Sequence, residues 1–295
     1  MKNGVVIINK EAGMTSQAVV NRVKRLFGVA KAGHTGTLDP MATGVLPVLV
    51  GRAVKASEFM LTEDKHYVAT LRLGITTDTE DTTGEILSVS RQEVSEDEVM
   101  RAVESFVGEY MQTPPMYSAL KVGGKKLYEL ARAGEVIDRA ARPVRIYSLD
   151  ASKTDAENYR LDVHCSKGTY IRTLCADIGK KLGVGGVMAS LLRAEAAGYT
   201  LSDAHTLDEL EAMSEREREE KIFPTEHIFK ALARVTLPDF FSRLAHSGLE
   251  IYQKKIGTSY GIGTRIALFD KDGFFAVGEV REYEGGSAIK PIRQF

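Results

Sequence analysis

The sequence predicts an α+β protein in which one large unit combines helices and strands and a smaller, β-rich unit follows. The 295-residue chain is 43% hydrophobic and 27% charged, which excludes disorder or a coiled coil for the whole chain. This length suits one large domain, or one domain plus a small one. Strand and helix patterns both occur before about residue 230, whereas strand patterns dominate after it.

Apolar alternation, helical spacing and capping residues predict the elements of the large unit. Strands are expected at Gly4–Ile8, Tyr67–Leu73, Arg145–Leu149 and Tyr159–Cys165, with a strand or a helix at Val45–Val50. Helices are expected from Thr15 or Ser16 to Gly28, from Ser95 to Gly108 with Val107 inward, from Ile171 to Gly183, and over Glu209–Ile222. Loops are expected at Lys31–Gly44 and Gln112–Lys126, where glycine, threonine or proline accumulate.

The segment after about residue 230 predicts a small β-rich unit. Asp239–Ala245 has the spacing of a short helix. Arg265–Phe269 and Phe274–Val280 are expected to pair as a hairpin, because Asp270–Gly273 between them supplies a turn.

Composition argues against several classes of protein. No run of 18 or more apolar residues occurs, so no segment is expected to span a membrane. Val5–Ile8 is too short for the core of a signal peptide. Cys165 and Cys175 are the only cysteines, which argues against a disulfide scaffold and suits a reducing, cytoplasmic compartment. Neither cysteine has a Cys/His cluster beside it, so no zinc site is expected.

Charge is unevenly distributed, although the net charge is only −1. Residues 1–75 carry ten Lys/Arg against five Asp/Glu, and residues 121–147 carry seven against three. Residues 76–105 are acidic, with nine Asp/Glu against two Lys/Arg. The basic blocks could face an anionic partner, whereas charge alone favours the simpler interpretation of a normal mixed surface.

The densest chemical signal is the glycine-rich loop Gly33–Gly44, which contains three Gly, three Thr, one His and one Asp. Glycine lets a ligand approach the backbone closely, and Pro40 holds Asp39 extended. Asp39 is a candidate nucleophile or base, although a turn-forming role explains the same composition. The loop lacks the Gly-Lys-Ser/Thr of a phosphate-binding loop and the spacing of a dinucleotide-binding motif.

Three further segments place polar side chains near predicted core elements. Arg172 lies at a strand-to-helix junction, where it is either solvated or aimed into a cleft to hold a carboxylate ionised. Tyr67 enters a strand, where packing is the simpler interpretation. Asp78–Gly84 resembles a calcium loop only superficially, because its glycine comes one position late and no Glu stands at the required distance. Calcium binding is therefore not expected.

An ordered series of motifs between about residues 4 and 200 resembles the TruB family of tRNA pseudouridine synthases, which form pseudouridine at position 55 in the T arm. The motifs that carry the resemblance are Gly33–Gly44, Lys65–Tyr67, Leu73-Gly74 with Thr77–Thr79, Thr113–Ala119, Tyr128 with Ala131–Gly134, Arg142–Val144 and Ser166–Leu174. A single glycine-rich loop would be a weak signal, whereas this series in family order is a specific one.

The resemblance implies a role for each matching residue. Asp39 matches the family's catalytic aspartate, Tyr67 the tyrosine that stacks on the target uracil, and Arg172 the arginine that pairs with the aspartate. His34 matches the residue that fills the space left by the flipped base. Three other residues fall at further active-site positions of the family: Tyr170, Lys10 and Leu191.

The chain departs from the family pattern at two places. The first motif reads Lys10-Glu11-Ala12-Gly13-Met14-Thr15-Ser16, whereas the family usually has proline after the lysine. A surface charge therefore stays an alternative to an active-site role for Lys10. Leu191-Leu192-Arg193 stands where the family often has paired basic residues, which predicts one RNA contact fewer. Core packing stays an alternative for Leu191.

The resemblance also implies the architecture and the reaction. We expect a catalytic domain over residues 1–229, with a mixed, largely antiparallel sheet and a cleft lined by Asp39, Tyr67, Tyr170 and Arg172. A small PUA-like, β-barrel RNA-binding domain is expected over residues 230–295. The reaction moves uracil from an N1 to a C5 linkage on C1′, which needs no redox cofactor, metal or nucleotide. Arg172 is expected to lower the pKa of Asp39 and to orient it.

The expected partner is the T stem-loop of tRNA, from which the target base must be flipped, and a cytoplasmic monomer is expected. Three other functions stay open: a catalytically silent tRNA-binding or folding module, a catalytic subunit of a guide-RNA ribonucleoprotein, and an Asp/His hydrolase. The trio of Asp39, Tyr67 and Arg172 argues against the silent module. Bacterial-like motif spacing argues against the guide-RNA subunit. The hydrolase is disfavoured because no G-x-S-x-G or metal motif is present.

Overall fold

A computed structural model describes residues 2–61, 63–118 and 120–295, so Ala119, the last residue of one family motif, lies outside it. The strands are β1 Gly4–Lys10, β2 Ala32–His34, β3 Thr43–Val50, β4 Lys65–Leu73, β5 Ile75–Thr77, β6 Ile86–Val89, β7 Gly108–Gln112, β8 Lys121–Val122, β9 Lys125–Lys126, β10 Arg142–Lys153, β11 Asn158–Cys165, β12 Gly186–Ala196, β13 Tyr199–Thr200, β14 Phe223–Pro224, β15 Ala233–Thr236, β16 Ile251–Tyr252, β17 Arg265–Asp270, β18 Gly273–Arg281 and β19 Ala288–Gln294.

The helices alternate with these strands along the chain. They are α1 Ser16–Phe27, α2 Ser57–Met60, α3 Glu96–Glu104, α4 Leu127–Arg132, α5 Ile171–Leu182, α6 Leu207–Ala212, α7 Glu215–Glu220, α8 Asp239–His246 and α9 Gln253–Ile256, with short 3₁₀ helices at Gly51–Ala56, Leu201–Asp203 and Thr225–Phe229. Among the described residues, no helix is long and apolar enough to cross a membrane.

The large sheet has the strand order β14-β1-β3-β12-β4-β11-β10-β7, with β2 beside β3 and β13 beside β12. Strands β3 and β12 run parallel, and the other neighbours in this order are antiparallel. The predicted mixed, largely antiparallel sheet is therefore confirmed. Strand β4 alternates strictly between buried and half-buried residues, as expected for a strand with one face on the core.

Helices α1 and α5 pack their apolar side chains against one face of this sheet. Val19, Val23 and Phe27 of α1 are buried with Leu174 and Ile178 of α5 in the main core. Each such side chain contributes about 1.5–3 kcal/mol when fully buried. Both helices end at the predicted glycine, which takes the left-handed backbone conformation that side chains disfavour. The packing of α5 places its first turn at the edge of the site described below.

A second sheet of five strands, in the order β15-β17-β18-β19-β16, forms a small unit with its own core. Its hairpin β17–β18 turns at Asp270–Gly273, as predicted. An aromatic cluster that includes Phe229, Phe269 and Phe274 joins this unit to residues around α2. The ion pair between Arg293 and Glu58 bridges the same junction at 2.5 Å. The predicted α+β class with a small PUA-like unit is confirmed.

Four element predictions were wrong in detail. The helix expected over Glu209–Ile222 is two helices, because Ser214 forms a second capping box that starts α7. The helix that begins after Ser95 ends at Glu104, so Val107 is exposed. The predicted loop Gln112–Lys126 contains the short β8–β9 hairpin, and the loop Lys31–Gly44 begins with β2 and ends in β3.

Candidate active site

The glycine-rich loop Gly33–Gly44 carries Asp39 and is anchored from the neighbouring helix. The Ser16 hydroxyl at the start of α1 donates to the Leu38 carbonyl at 3.0 Å and accepts from the Leu38 amide at 2.9 Å. Gly44 ends the loop at φ +99°, and a Cβ there would lie 2.3 Å from the Arg193 carbonyl oxygen. Only glycine fits where the loop enters β3 beside β12.

Lys10, at the end of β1, connects the glycine-rich loop to the sheet through hydrogen bonds. Its side chain is buried, and its Nζ donates to the carbonyls of Glu11 at 2.9 Å, Pro40 at 3.1 Å and Ala42 at 2.6 Å. Burial lowers the pKa of Lys10 to about 8, because the cation has left water. The surface-charge alternative is therefore wrong, and Lys10 supports the backbone on both sides of Met41.

Asp39 and Arg172 meet although they lie 133 positions apart. Arg172 Nε lies 2.9 Å from Asp39 Oδ2, and Nη2 lies 3.4 Å from Oδ1. The Arg172 guanidinium also donates to the carbonyls of Thr79 and Tyr117, at 2.9 and 2.8 Å. Arg172 is buried, whereas about a third of the Asp39 side chain (35%) stays accessible. The carboxylate is therefore held by a fixed cation and open to a ligand on its other side.

Asp81 is a second buried carboxylate at the same guanidinium, 3.6 Å from Arg172 Nη1. Its Oδ1 accepts from the hydroxyls of Thr79 and Thr83 and from the Thr83 amide. The sequence analysis considered Asp81 only as part of a calcium-like loop and missed its contact with Arg172. Within residues 2–61, 63–118 and 120–295, no group of three or more His, Cys, Asp or Glu could hold a metal ion.

The pKa of Asp39 is set by burial and by two charged neighbours. Burial raises it above its ordinary value, and the Arg172 guanidinium opposes that shift without reversing it. Asp81 adds to the upward shift through charge repulsion. The expected lowering of the pKa by Arg172 is present, but the cost of removing the carboxylate from water outweighs it, so the net shift is upward.

Tyr67 lies on β4 directly opposite Arg193 on β12, and both side chains are buried. Arg193 Nε donates to the Val45 carbonyl at 2.7 Å, and Nη2 donates to the Gly36 carbonyl at 3.2 Å. Burial raises the pKa of Tyr67, so the phenol is neutral at physiological pH. Sequence reasoning missed Arg193 as part of this cluster. An arginine at an inward, period-two position of an apolar strand was the available signal.

His34 lies on β2 at the start of the same loop, opposite Val48 of β3. Burial lowers its pKa, and the charge of Arg193 lowers it further, so the ring is neutral. Its Nδ1 is buried and makes no hydrogen bond to any residue that the structure describes. A neutral, partly unsatisfied imidazole beside the loop suits contact with a nucleobase.

Tyr170 and Leu191 occupy different surroundings. Tyr170 precedes α5, where its amide and carbonyl bond the Gln112 side chain at 2.8 and 2.9 Å. Its ring faces the Arg142 guanidinium, with 5.4 Å between Cζ and the ring centroid. Leu191 is buried in the main core, opposite Ala69 of β4. Core packing therefore describes Leu191 in this structure, although the core that contains it also contains Tyr67.

Comparison with solved structures identifies proteins that share this fold. A chain in a crystal structure of a Cbf5-Nop10-Gar1 complex shares the fold with a TM-score of 0.74 and 25% identity, over 99% of this chain and 85% of that one. The fold shared with this chain defines the class as a pseudouridine synthase.

Family models define the particular family. A model described as the N-terminal domain of TruB family pseudouridylate synthases matches residues 24–171, and one for the C-terminal domain of tRNA pseudouridylate synthase B matches residues 172–238. The tRNA pseudouridine synthase B of Alkaliphilus oremlandii is 45% identical over 294 residues, which are 99% of this chain and 98% of that protein. The protein of the same name from Clostridium tetani is 37% identical over 98% of this chain and 99% of its own length. The chain belongs to the TruB family.

Proposed function

We propose that this protein isomerises uridine 55 in the T arm of tRNAs to pseudouridine. The observation that carries the proposal is the Asp39 carboxylate, held 2.9 Å from the buried Arg172 guanidinium on a glycine-rich loop of a TruB-family chain. The reaction balances without a co-reactant. The C1′–N1 bond breaks, a C1′–C5 bond forms, C5 releases its proton, and N1 takes one up.

Asp39 begins the reaction as an ionised carboxylate. It attacks C1′ or C6 of the uridine, or removes a proton that promotes glycosidic cleavage. Arg172 keeps the carboxylate aimed at the open side of the site, because four of its contacts are with rigid backbone or carboxylate groups. Tyr67, as a neutral phenol, contacts the face of the uracil ring while the base turns. Lys10 and Leu191 line the site beneath the base.

The target base lies inside a folded RNA arm, so it must be flipped out at a cost of a few kcal/mol. The neutral ring of His34 offsets part of that cost by occupying the gap, and Tyr170 borders the flipped base. Exposed cations on the segment after β7, such as Lys125, Arg132 and Arg145, supply phosphate contacts. We expect the Kd for tRNA to rise steeply between 50 and 200 mM salt, and a salt-independent Kd would contradict this interface.

The proposal extends to the organisation of the protein. Residues 1–229 form the catalytic domain, and residues 230–295 form a PUA-like unit that adds RNA contacts. The enzyme acts as a monomer in the cytoplasm on the T stem-loop, without metal or redox cofactor. The support is a second sheet with its own core that is confined to Ala233–Gln294.

The test uses an unmodified tRNA transcript that carries tritium at uridine C5. Bond formation at C5 releases tritium to water, whereas binding alone does not. We expect release by the wild type, and a loss of at least about 10²–10⁴-fold in Asp39→Asn, which keeps the shape and removes the carboxylate. Release by both proteins would exclude Asp39 as the reacting group. Release by neither, with tRNA still bound, would leave the silent binding module.

The fold shared with a chain of the Cbf5-Nop10-Gar1 complex favours a second candidate, in which the protein works as a subunit of a larger complex. The two candidates differ in what the purified chain does alone. Tritium release by the isolated protein supports the stand-alone enzyme. Release only after addition of a cell extract would support the subunit.

A further inference from the structure

Arg193 is among the largest side chains that are completely buried in the described part of the chain, at 1% exposure. None of its hydrogen bonds or ion pairs there involves a carboxylate, and its partners are two backbone carbonyls and the Tyr67 hydroxyl. Removing a guanidinium from water costs several kcal/mol, which ion pairing usually offsets. A buried guanidinium without an ion pair is therefore expected to have a structural role, such as fixing the backbone carbonyls that it binds.

The two carbonyls that Arg193 binds lie on either side of Asp39. Gly36 is three residues before the aspartate, and Val45 follows the end of the loop in β3. Gly36 has φ +87°, and a Cβ there would lie 3.4 Å from Arg193 Nη1, so the loop backbone rests directly on the guanidinium. The parallel pairing of Arg193 with Gly44 fixes the starting point of the side chain.

The same guanidinium lies beside the two rings of the site. Tyr67 faces Arg193 across β4 and β12, and the two residues share one face of the sheet. The charge of Arg193 also acts on His34, at the other end of the loop. The buried Arg193 guanidinium therefore bonds the backbone of the glycine-rich loop, faces Tyr67 and lowers the pKa of His34.

We propose that Arg193 is a positioning residue for uridine isomerisation, one that holds the Gly33–Gly44 loop so that Asp39 meets Arg172. It also keeps a fixed positive charge beside Tyr67 and His34, where the flipped base is received. This proposal rests on the proposed function. Since the side chain is 1% exposed, it acts on the rate of the chemical step rather than on RNA binding.

The first test compares Arg193→Met and Arg193→Lys with the wild type in single-turnover tritium release and in tRNA binding. Arg193→Met is expected to slow release about 100-fold, as a small displacement of the reacting group does, while the Kd for tRNA changes less than about threefold. Arg193→Lys restores the charge and is expected to recover part of the rate. The control is Arg160→Met, on β11, which β4 separates from β12; 54% of the Arg160 side chain is exposed, and its replacement should leave both quantities unchanged.

The outcomes separate this proposal from the proposed function. A wild type that releases no tritium overturns the function. An active wild type with an equally fast Arg193→Met overturns the positioning role, and so does a loss of tRNA affinity as large as the loss of rate. If Arg193→Met does not fold, Arg193→Lys carries the test, with an expected loss of about tenfold because lysine cannot reproduce both bonds of the guanidinium fork.

A second measurement is independent of catalysis. The His34 ring is titrated by NMR in the free wild-type protein, in Arg193→Met and in Arg160→Met. Loss of the Arg193 charge is expected to raise the pKa of His34 toward its ordinary value, and Arg160→Met should not change it. An unchanged His34 titration in a folded Arg193→Met protein would contradict the proposed charge placement.

Discussion

Charged side chains occupy both faces of the large sheet, and their surroundings differ. On the inner face, which bears Tyr67 and helix α5, Arg172 pairs with Asp39 at 2.9 Å and is 6% exposed. On the outer face, His66 Nε2 lies only 2.5 Å from Asp162 Oδ1, but the two side chains are 34% and 39% exposed. Solvent screens the shorter, outer contact. The burial of the side chains, rather than the distance between them, therefore decides which of these contacts determine structure and chemistry.

The inner face also differs in the partners of its cations. Lys10 and Arg193 donate to backbone carbonyls in and directly after the glycine-rich loop, so their charges are desolvated without a carboxylate bonded to them. On the outer face, Arg160 and Arg72 each pair with a carboxylate in water. Buried cations on carbonyls fix backbone position, whereas exposed ion pairs add little to stability. Three substitutions test this difference.

The largest effect is expected for Arg172→Met. It removes the partner of the buried Asp81 and the half-buried Asp39 carboxylates, so the free energy of unfolding should fall by about 3–5 kcal/mol. Tritium release from C5-labelled tRNA should be lost by at least about 10²-fold, because Asp39 is no longer aimed. Urea unfolding and single-turnover release measure the two effects. Arg160→Met is the outer-face control, and equal losses in both variants would contradict the comparison.

An intermediate effect is expected for Lys10→Met, and it depends on pH. Burial lowers the pKa of Lys10 from 10.5 to about 8. Between these values the unfolded chain holds a proton that the folded protein has released, so the contribution of Lys10 to the free energy of unfolding rises with pH. The stability of the wild type minus that of Lys10→Met should therefore rise by about 2 kcal/mol from pH 7.5 to pH 10.

Urea unfolding at the two pH values measures this difference for Lys10→Met. Lys31→Met replaces an exposed lysine just before the glycine-rich loop and provides the control. A flat difference for Lys10→Met would show that the Lys10 amine is solvated.

The smallest effect is expected for Asp162→Asn on the outer face. This change removes the negative charge that lies 2.5 Å from His66 Nε2, yet the free energy of unfolding should change by less than about 1 kcal/mol. Tritium release should equal that of the wild type. A loss of stability close to that of Arg172→Met would mean that contact distance, and not burial, governs these pairs.

Local signals in the sequence were sufficient for much of the fold. Thr15 and Ser95 start helices because their side chains accept from backbone amides, and Gly28 and Gly183 end helices by adopting a conformation that other residues disfavour. These interactions act within a few residues, so sequence spacing reveals them. The family resemblance further indicated Asp39, Tyr67, Arg172 and His34 as site candidates, and the structure gathers them around one loop.

The sequence by itself thus determined the α+β class, the helix limits that caps define, and the membership of the TruB family. Only the tertiary structure decided that Lys10 is buried, that Asp81 shares Arg172, and that the pKa of Asp39 is raised. It alone brought Arg193 to Gly36, 157 positions away. Desolvation and bonds to backbone carbonyls depend on everything packed around a group, and no local pattern of residues encodes that packing.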